Sequence, residues 1–164
     1  MNVICPNGWI AGCLLFCSSV CFADEQHWYF VRHFEKLSGE NPGLTVKGQQ
    51  RAQSLARYFI HIPVTKIYST DYQRTKQSAQ PLAEMLGMKI EYYSPARLAD
   101  FAGSLGSGDR IVVIGHSNTT PELVRLMGGE AKDMNEQDFG RLYILNKNDL
   151  GTHTQSVIMT FGQQ

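Results

Sequence analysis

Apolar and polar positions along the chain fall into two rhythms. Trp28-Tyr29-Phe30-Val31 is an unbroken apolar run that stops at Arg32-His33 and turns polar through Ser38-Gly39-Glu40-Asn41-Pro42-Gly43. Such a run reads as a strand buried on both faces, here His27 to Arg32, that delivers two polar side chains to its C-terminal end. The design recurs at Arg110 to Gly115, where Ile111-Val112-Val113-Ile114 leads into Gly115-His116. Further strand patterns lie at Lys66 to Ser69, at Lys89 to Tyr93, and at about Gly140 to Asn146 and Thr154 to Phe161, the last two joined through Asn148-Asp149-Leu150-Gly151.

The second rhythm is helical. Thr45 is placed to cap a helix running to about Ile60, with Ala52, Leu55, Ala56 and Phe59 on one stripe. Asp71 is the expected N-cap of the next, whose stripe is Thr75, Ala79, Leu82, Ala83 and Leu86 and whose end is Gly87. Pro81 inside that pattern predicts a kink or break near Gln77 to Gln80. A short helix is expected over Pro95 to Leu105, followed by a turn at Gly106-Ser107-Gly108-Asp109. Thr119 or Thr120 should cap the last helix, with Pro121 in its first turn and Gly128-Gly129 beyond Met127. Strands alternating with helices predict an α/β fold: three layers, a mostly parallel central sheet with helices on both faces.

The first 23 residues break this pattern. They hold no charged side chain and all four cysteines, Cys5, Cys13, Cys17 and Cys21, while Trp9 to Phe22 is an apolar run too short to span a bilayer comfortably. Ending in Cys21-Phe22-Ala23 before Asp24-Glu25, the segment reads as a secretory signal peptide, although a basic n-region is missing. An uncleaved signal anchor and a lipidation box at Ile10-Ala11-Gly12-Cys13 stay open. Each places residues 24–164 outside the cytoplasm, in the periplasm or secreted, with a membrane partner only if the segment is uncleaved or lipidated. A cut after Ala23 leaves a chain without cysteine.

Composition adds limits. The 164 residues suit one domain, and 15 Lys plus Arg balance 15 Asp plus Glu. No general affinity for nucleic acid follows from that balance.

The chemistry therefore lies in the strand ends. A neutral imidazole is a phosphoryl nucleophile near pH 7, provided its other nitrogen is held by a backbone carbonyl. Arginine's planar fork binds two phosphate oxygens and keeps its charge. His33 as nucleophile, with Arg32, Arg74 and His116 around the phosphoryl group, is a complete set apart from a leaving-group acid. These four groups have no obvious carboxylate partner in the sequence, so an anion is the expected ligand, with Arg32, Arg74 and Asn118 as its binding residues. Asn118 and Thr119 have helix capping as their plainer role. His27, His61 and His153 are expected at the surface or on strand edges. Trp28, Tyr29, Tyr143 and Phe161 are expected in the core, and packing accounts for Tyr92, Tyr93 and Phe101.

Several blocks, taken in order, resemble a known family. Val31-Arg32-His33-Phe34-Glu35-Lys36, Leu44 to Ala52, Tyr68-Ser69-Thr70 with Arg74-Thr75, Ala79-Gln80-Pro81-Leu82-Ala83, and Gly115-His116-Ser117-Asn118-Thr119 look like those of the histidine phosphatase superfamily, the phosphoglycerate-mutase-like fold. That resemblance implies that His33 is phosphorylated and that Arg32, Arg74 and His116 form the phosphate pocket. It also implies hydrolysis of a phosphate monoester or phosphoramidate without metal or other cofactor. The substrate would be a small molecule or a phosphorylated envelope component. A protein phosphohistidine phosphatase and a non-catalytic phosphate-binding module are the alternatives. Two departures stand out: Phe34 occupies a position where many members have glycine, and Ser117 follows His116 where some carry an aspartate. Asp100 and Glu35 are the candidate acids, with Asp100 equally a solvated residue of its helix and Glu35 expected to orient the loop by pairing with Lys36 or a backbone amide.

Overall fold

The computed structural model describes residues 26–106, 109–148 and 151–159. In chain order its elements are β1 (Gln26–Arg32), α1 (Val46–Tyr58), β2 (Lys66–Ser69), α2 (Gln73–Leu86), β3 (Ile90–Tyr92), α3 (Leu98–Ser104), β4 (Arg110–Gly115), α4 (Thr119–Leu126), β5 (Arg141–Asn148) and β6 (Gly151–Ile158). The strands form one sheet in the order β3-β2-β4-β1-β5-β6. β1 with β4, β4 with β2 and β2 with β3 are parallel, whereas β5 runs antiparallel to both β1 and β6. The α/β architecture expected from the alternating patterns is the one observed. None of the described helices is long and apolar enough to cross a membrane.

Successive residues of a strand face opposite sides, and both sides are covered. Tyr29, Val31, Ile67, Val112, Ile114 and Leu142 pack with Ala52, Leu55, Ala56 and Phe59 of and beside α1, and with Ala79, Leu82 and Ala83 of α2. Trp28, Phe30, Ile111, Val113, Tyr143 and Leu145 pack with Phe101 and Ala102 of α3 and with Leu123 and Val124 of α4. This explains why β1 and β4 read as unbroken apolar runs.

The register levels the ends that matter. Arg32 lies opposite Gly115, and the His33 N–H donates to the Gly115 carbonyl at 2.9 Å. His33 and His116 thus leave the sheet side by side. Because β5 is antiparallel, with Leu142 opposite Val31, it begins where β1 ends. The segment before β5 must therefore cross that same edge.

Thr45 caps α1 as expected, its hydroxyl accepting from the Gly48 N–H at 3.1 Å. Gly48 has a packing reason to be glycine: a Cβ there would collide with the Glu35 backbone carbonyl. Gly87 ends α2 at φ 64°, the left-handed conformation anticipated.

Other local expectations need correction. The N-cap of α2 is Tyr72, without a side-chain bond, while exposed Asp71 pairs with Lys76 at 2.8 Å. Pro81 does not break α2, which runs on to Leu86. The missing N–H costs about 3 kcal/mol, and burying Leu82, with Ala79 and Ala83 beside it, against the sheet offsets much of that. α3 starts at Leu98 rather than near Pro95. Asn118, not a threonine, holds the cap position of α4, because the Thr119 hydroxyl turns back to accept from the His116 N–H at 2.9 Å. The segment 1–23, with its cysteines, and Phe161 lie outside the described residues.

Candidate active site

The structure brings Arg32, His33, Arg74 and His116 together. Arg32 ends β1, His33 follows it, His116 follows β4, and Arg74 sits in the first turn of α2 after β2. The two histidine rings are 5.5 Å apart between centroids. Three parallel strand ends thus converge, as ligand sites do at the carboxyl edge of open α/β sheets.

His33 is buried, and its Nδ1 lies 2.8 Å from the Phe34 carbonyl. A carbonyl only accepts, so Nδ1 carries the proton and Nε2 carries the lone pair. No hydrogen bond among the described residues engages Nε2. Burial chiefly, helped by the charges of Arg32, His116 and Arg74, pushes the His33 pKa down to about 3 against the opposing hydrogen bond to the Phe34 carbonyl. The imidazole is therefore neutral near pH 7. Phe34 itself, at a position where glycine was the common pattern, is fully buried in the core with residues of α1 and α2. Its N–H donates to Ser78 Oγ, which donates to the Arg74 carbonyl, so α2 and the loop after His33 are tied together.

The His116 tautomer follows from a chain of donors. The Thr75 hydroxyl donates to the carbonyls of Thr70 and Tyr72, at 2.8 and 2.9 Å. Thr70 Oγ1 then donates to Thr75 Oγ1 at 3.0 Å and must accept from His116 Nε2 at 2.9 Å. This leaves Nδ1 as the acceptor facing Arg74 Nη2 at 3.4 Å. Burial, then Arg74 and Arg32, lower the His116 pKa to about 4. Tyr72 packs edge-on to the His116 ring and lies under the Arg74 guanidinium, 4.5 Å from its carbon.

Arg32 is 2% exposed. Its Nη1 donates to the carbonyls of Asn135 and Asp138 at 2.7 and 3.4 Å, and its Nη2 meets Glu136 Oε2 at 3.1 Å. The Phe139 ring lies 4.4 Å from the guanidinium carbon. Burial lowers the Arg32 pKa, and the Glu136 charge opposes this. Arg32 Nε and Arg74 Nε are both buried without a partner among the described residues. Two orphaned guanidinium donors beside two neutral imidazoles make a donor set suited to an anion with several acceptor oxygens. Among the described residues no cluster of three or more His, Cys, Asp or Glu is placed to hold a metal ion.

The remaining expectations fare differently. Asn118 is exposed at the start of α4, with no side-chain bond to the four. Asp100 points into solvent on α3, paired with Arg97 at 2.9 Å. Glu35 is bound by Arg51 at 2.8 Å and Lys47 at 3.6 Å, not by Lys36 or an amide, so it braces the loop against α1. The expectation that the four lack a carboxylate is also corrected, because Glu136 reaches Arg32. What could have pointed to it was the Glu136-Gln137-Asp138-Phe139 stretch lying directly before a strand, had that strand been placed antiparallel to β1. The Thr70 and Thr75 relay gave no separate signal in the sequence.

Known proteins resemble the chain over part of its sequence and in its fold. The model of the histidine phosphatase superfamily (branch 1) matches residues 28–104. A Salmonella choleraesuis protein named "Probable phosphoglycerate mutase GpmB" is 32% identical over 80 residues, covering 44% of this chain and 37% of that protein. The chain thus matches little more than a third of the length of that curated relative. Among solved structures, the protein histidine phosphatase SixA complexed with tungstate aligns with a TM-score of 0.63 at 13% identity, over 80% of this chain and 94% of that one. The alpha-ribazole phosphatase from Shigella flexneri aligns with a TM-score of 0.66 at 13% identity, over 84% and 99%. At such identities the likeness is one of fold.

Proposed function

We propose, on the histidine phosphatase superfamily that the family model and the relatives support, that this protein hydrolyses phosphate monoesters through a phosphohistidine on His33. The observation that carries this reading is the state of His33: buried, neutral, its Nδ1–H held by the Phe34 carbonyl and its Nε2 unengaged. A lone pair fixed in direction and kept unprotonated is what attack on phosphorus requires.

In the first step Nε2 forms a bond to phosphorus while the bond to the leaving oxygen breaks. Arg32 Nε and Arg74 Nε, both without partners in the free protein, supply donors for the nonbridging oxygens. A dianion between them raises the proton affinity of His116 Nδ1, converting that nitrogen from acceptor to donor. Water then displaces the phosphoryl group from His33, releasing inorganic phosphate. The two arginines and the protonated His116 would supply the positive charge that many phosphatases take from metal ions, so turnover should survive chelation.

The substrate we propose is a small phosphate ester or a phosphorylated envelope component, met outside the cytoplasm if residues 1–23 act as an export signal. SixA, a protein histidine phosphatase by its description, lends support to phosphohistidine as an alternative substrate, as does the absence of Asp100 and Glu35 from the site.

Hydrolysis of an aryl phosphate in excess chelator, beside His33→Ala, tests the proposal. Turnover should fall by more than about 10⁴-fold in the variant. Equal rates in both proteins, or a raised melting temperature with phosphate but no turnover, would leave a binding module instead.

A further inference from the structure

Resting on the phosphatase reading above, we infer that Glu136 is the acid and base of the reaction, brought to the site by the segment between α4 and β5. Asp100 and Glu35 are spent on other partners. Asp138, the other acidic residue beside Arg32, uses its Oδ2 to accept the Asn135 N–H at 2.8 Å and so holds the segment's own turn. Among the described residues, Glu136 is the carboxylate that hydrogen-bonds a member of the site.

The geometry of its partner gives the position meaning. In a planar guanidinium, Nε and Nη2 lie on one edge of the fork. Arg32 Nη1, on the other side, is taken by the Asn135 and Asp138 carbonyls. On the Nε and Nη2 edge, Nε is buried without a partner and Nη2 holds Glu136. A phosphoryl oxygen accepting from Nε therefore lies one donor away from Glu136. Phe139 fixes the segment against both reacting groups, 4.4 Å from the Arg32 guanidinium carbon and with its ring centroid 6.3 Å from that of His33. Glu136 itself is 76% exposed, so its carboxylate can swing off Arg32 into water without being buried.

The proton balance closes over the two steps. The ester enters as its monoanion and gives its proton to the Glu136 carboxylate; as the nitrogen–phosphorus bond forms and the ester bond breaks, that proton passes from Glu136 to the leaving oxygen. As water attacks the phosphohistidine and the phosphorus–nitrogen bond breaks, Glu136 takes a proton from that water and hands it to the departing phosphate, so that the carboxylate paired with Arg32 is restored. His33 Nδ1–H stays on the Phe34 carbonyl throughout.

The experiment compares 4-nitrophenyl phosphate with an alkyl phosphate such as glycerol phosphate, in wild type, Glu136→Gln, Glu136→Asp and His33→Ala. Expected in Glu136→Gln is a loss of about 100-fold or more in kcat/KM for the alkyl ester, a much smaller loss in kcat/KM for the aryl ester, whose leaving group needs little protonation, a fall in kcat for both esters because water attack on the shared phosphohistidine loses its base, and partial recovery of the alkyl rate in Glu136→Asp. Equal losses in kcat/KM on both esters would reduce Glu136 to a positioning residue for Arg32 and overturn the inference. So would an unchanged alkyl rate, or a wild type that turns over the aryl ester alone. Failure of the phosphatase reading looks different: wild type and His33→Ala are then equally inert on 4-nitrophenyl phosphate, and both ideas fall.

Discussion

Arg74 and Arg32 flank the same pair of histidines, yet they are held by unlike parts of the molecule. Arg74 stands over Tyr72, and the His116 it faces is fixed through Thr70 and Thr75, whose hydroxyls are buried and bonded in one direction. Arg32 is gripped by carbonyls 103 and 106 residues further along the chain and by an exposed carboxylate. In the relay each hydroxyl and the His116 Nε2–H are already bonded, the Thr75 proton being shared between two carbonyls, so moving Thr70 orphans a buried group. On the Arg32 side the carboxylate can return to water, and an ion pair with so exposed a partner contributes about 0–1 kcal/mol. One half of the site is a fixed template; the other can trade a protein anion for a substrate anion.

The comparison breaks most visibly at Thr70. Thr70→Val keeps the shape but leaves the His116 Nε2–H unpartnered, and urea unfolding should show a loss of about 1–3 kcal/mol, with Thr70→Ser restoring most of it. A loss below about 0.5 kcal/mol would mean that the relay is not the rigid half.

Acidification probes the two buried histidines directly. His33 and His116 have folded-state pKa values of about 3 and about 4, below the ordinary histidine value of 6.5. Between these values the unfolded chain binds protons that the folded one refuses, so stability present above pH 6.5 is lost as pH falls through that window, by up to about 1.4 kcal/mol per pH unit for each ring. Urea titrations at pH 7, 6 and 5 should show the decline, and inorganic phosphate should flatten it. A flat profile without phosphate would show that the rings are not held neutral.

The smallest effect belongs to the adjustable half. Phe139→Leu retains an apolar contact but removes the ring beneath Arg32, and should cost about 0.5–1 kcal/mol by the same titration. A much larger loss would make the Arg32 side as rigid as its counterpart.

Much of this was legible before any tertiary contact was known. Apolar runs ending in Arg32-His33 and Gly115-His116, Thr45 ahead of a helix and Gly87 behind one are local patterns, and each produced the element it predicted. Misreadings were concentrated where a polar side chain had two plausible uses. Thr119 served the His116 amide rather than capping a helix, Glu35 found Arg51, and Asp100 found Arg97. Local sequence presents a donor or acceptor, but the competition between its partners is settled by packing.

What the sequence by itself determined is the list of strands and helices and the delivery of two histidines to strand ends, because buried periodicity and strand termination depend on neighbouring residues. What only the tertiary structure decided is the direction of β5, and with it the carboxylate at Arg32. A strand covered on both faces, as β5 is with Leu142 in one core and Tyr143 in the other, has the same apolar pattern whether it runs parallel or antiparallel to its neighbour. Pairing antiparallel to β1 carried residues 135–139 across the edge where β1 ends, a choice made by contacts more than a hundred residues apart that no local pattern encodes.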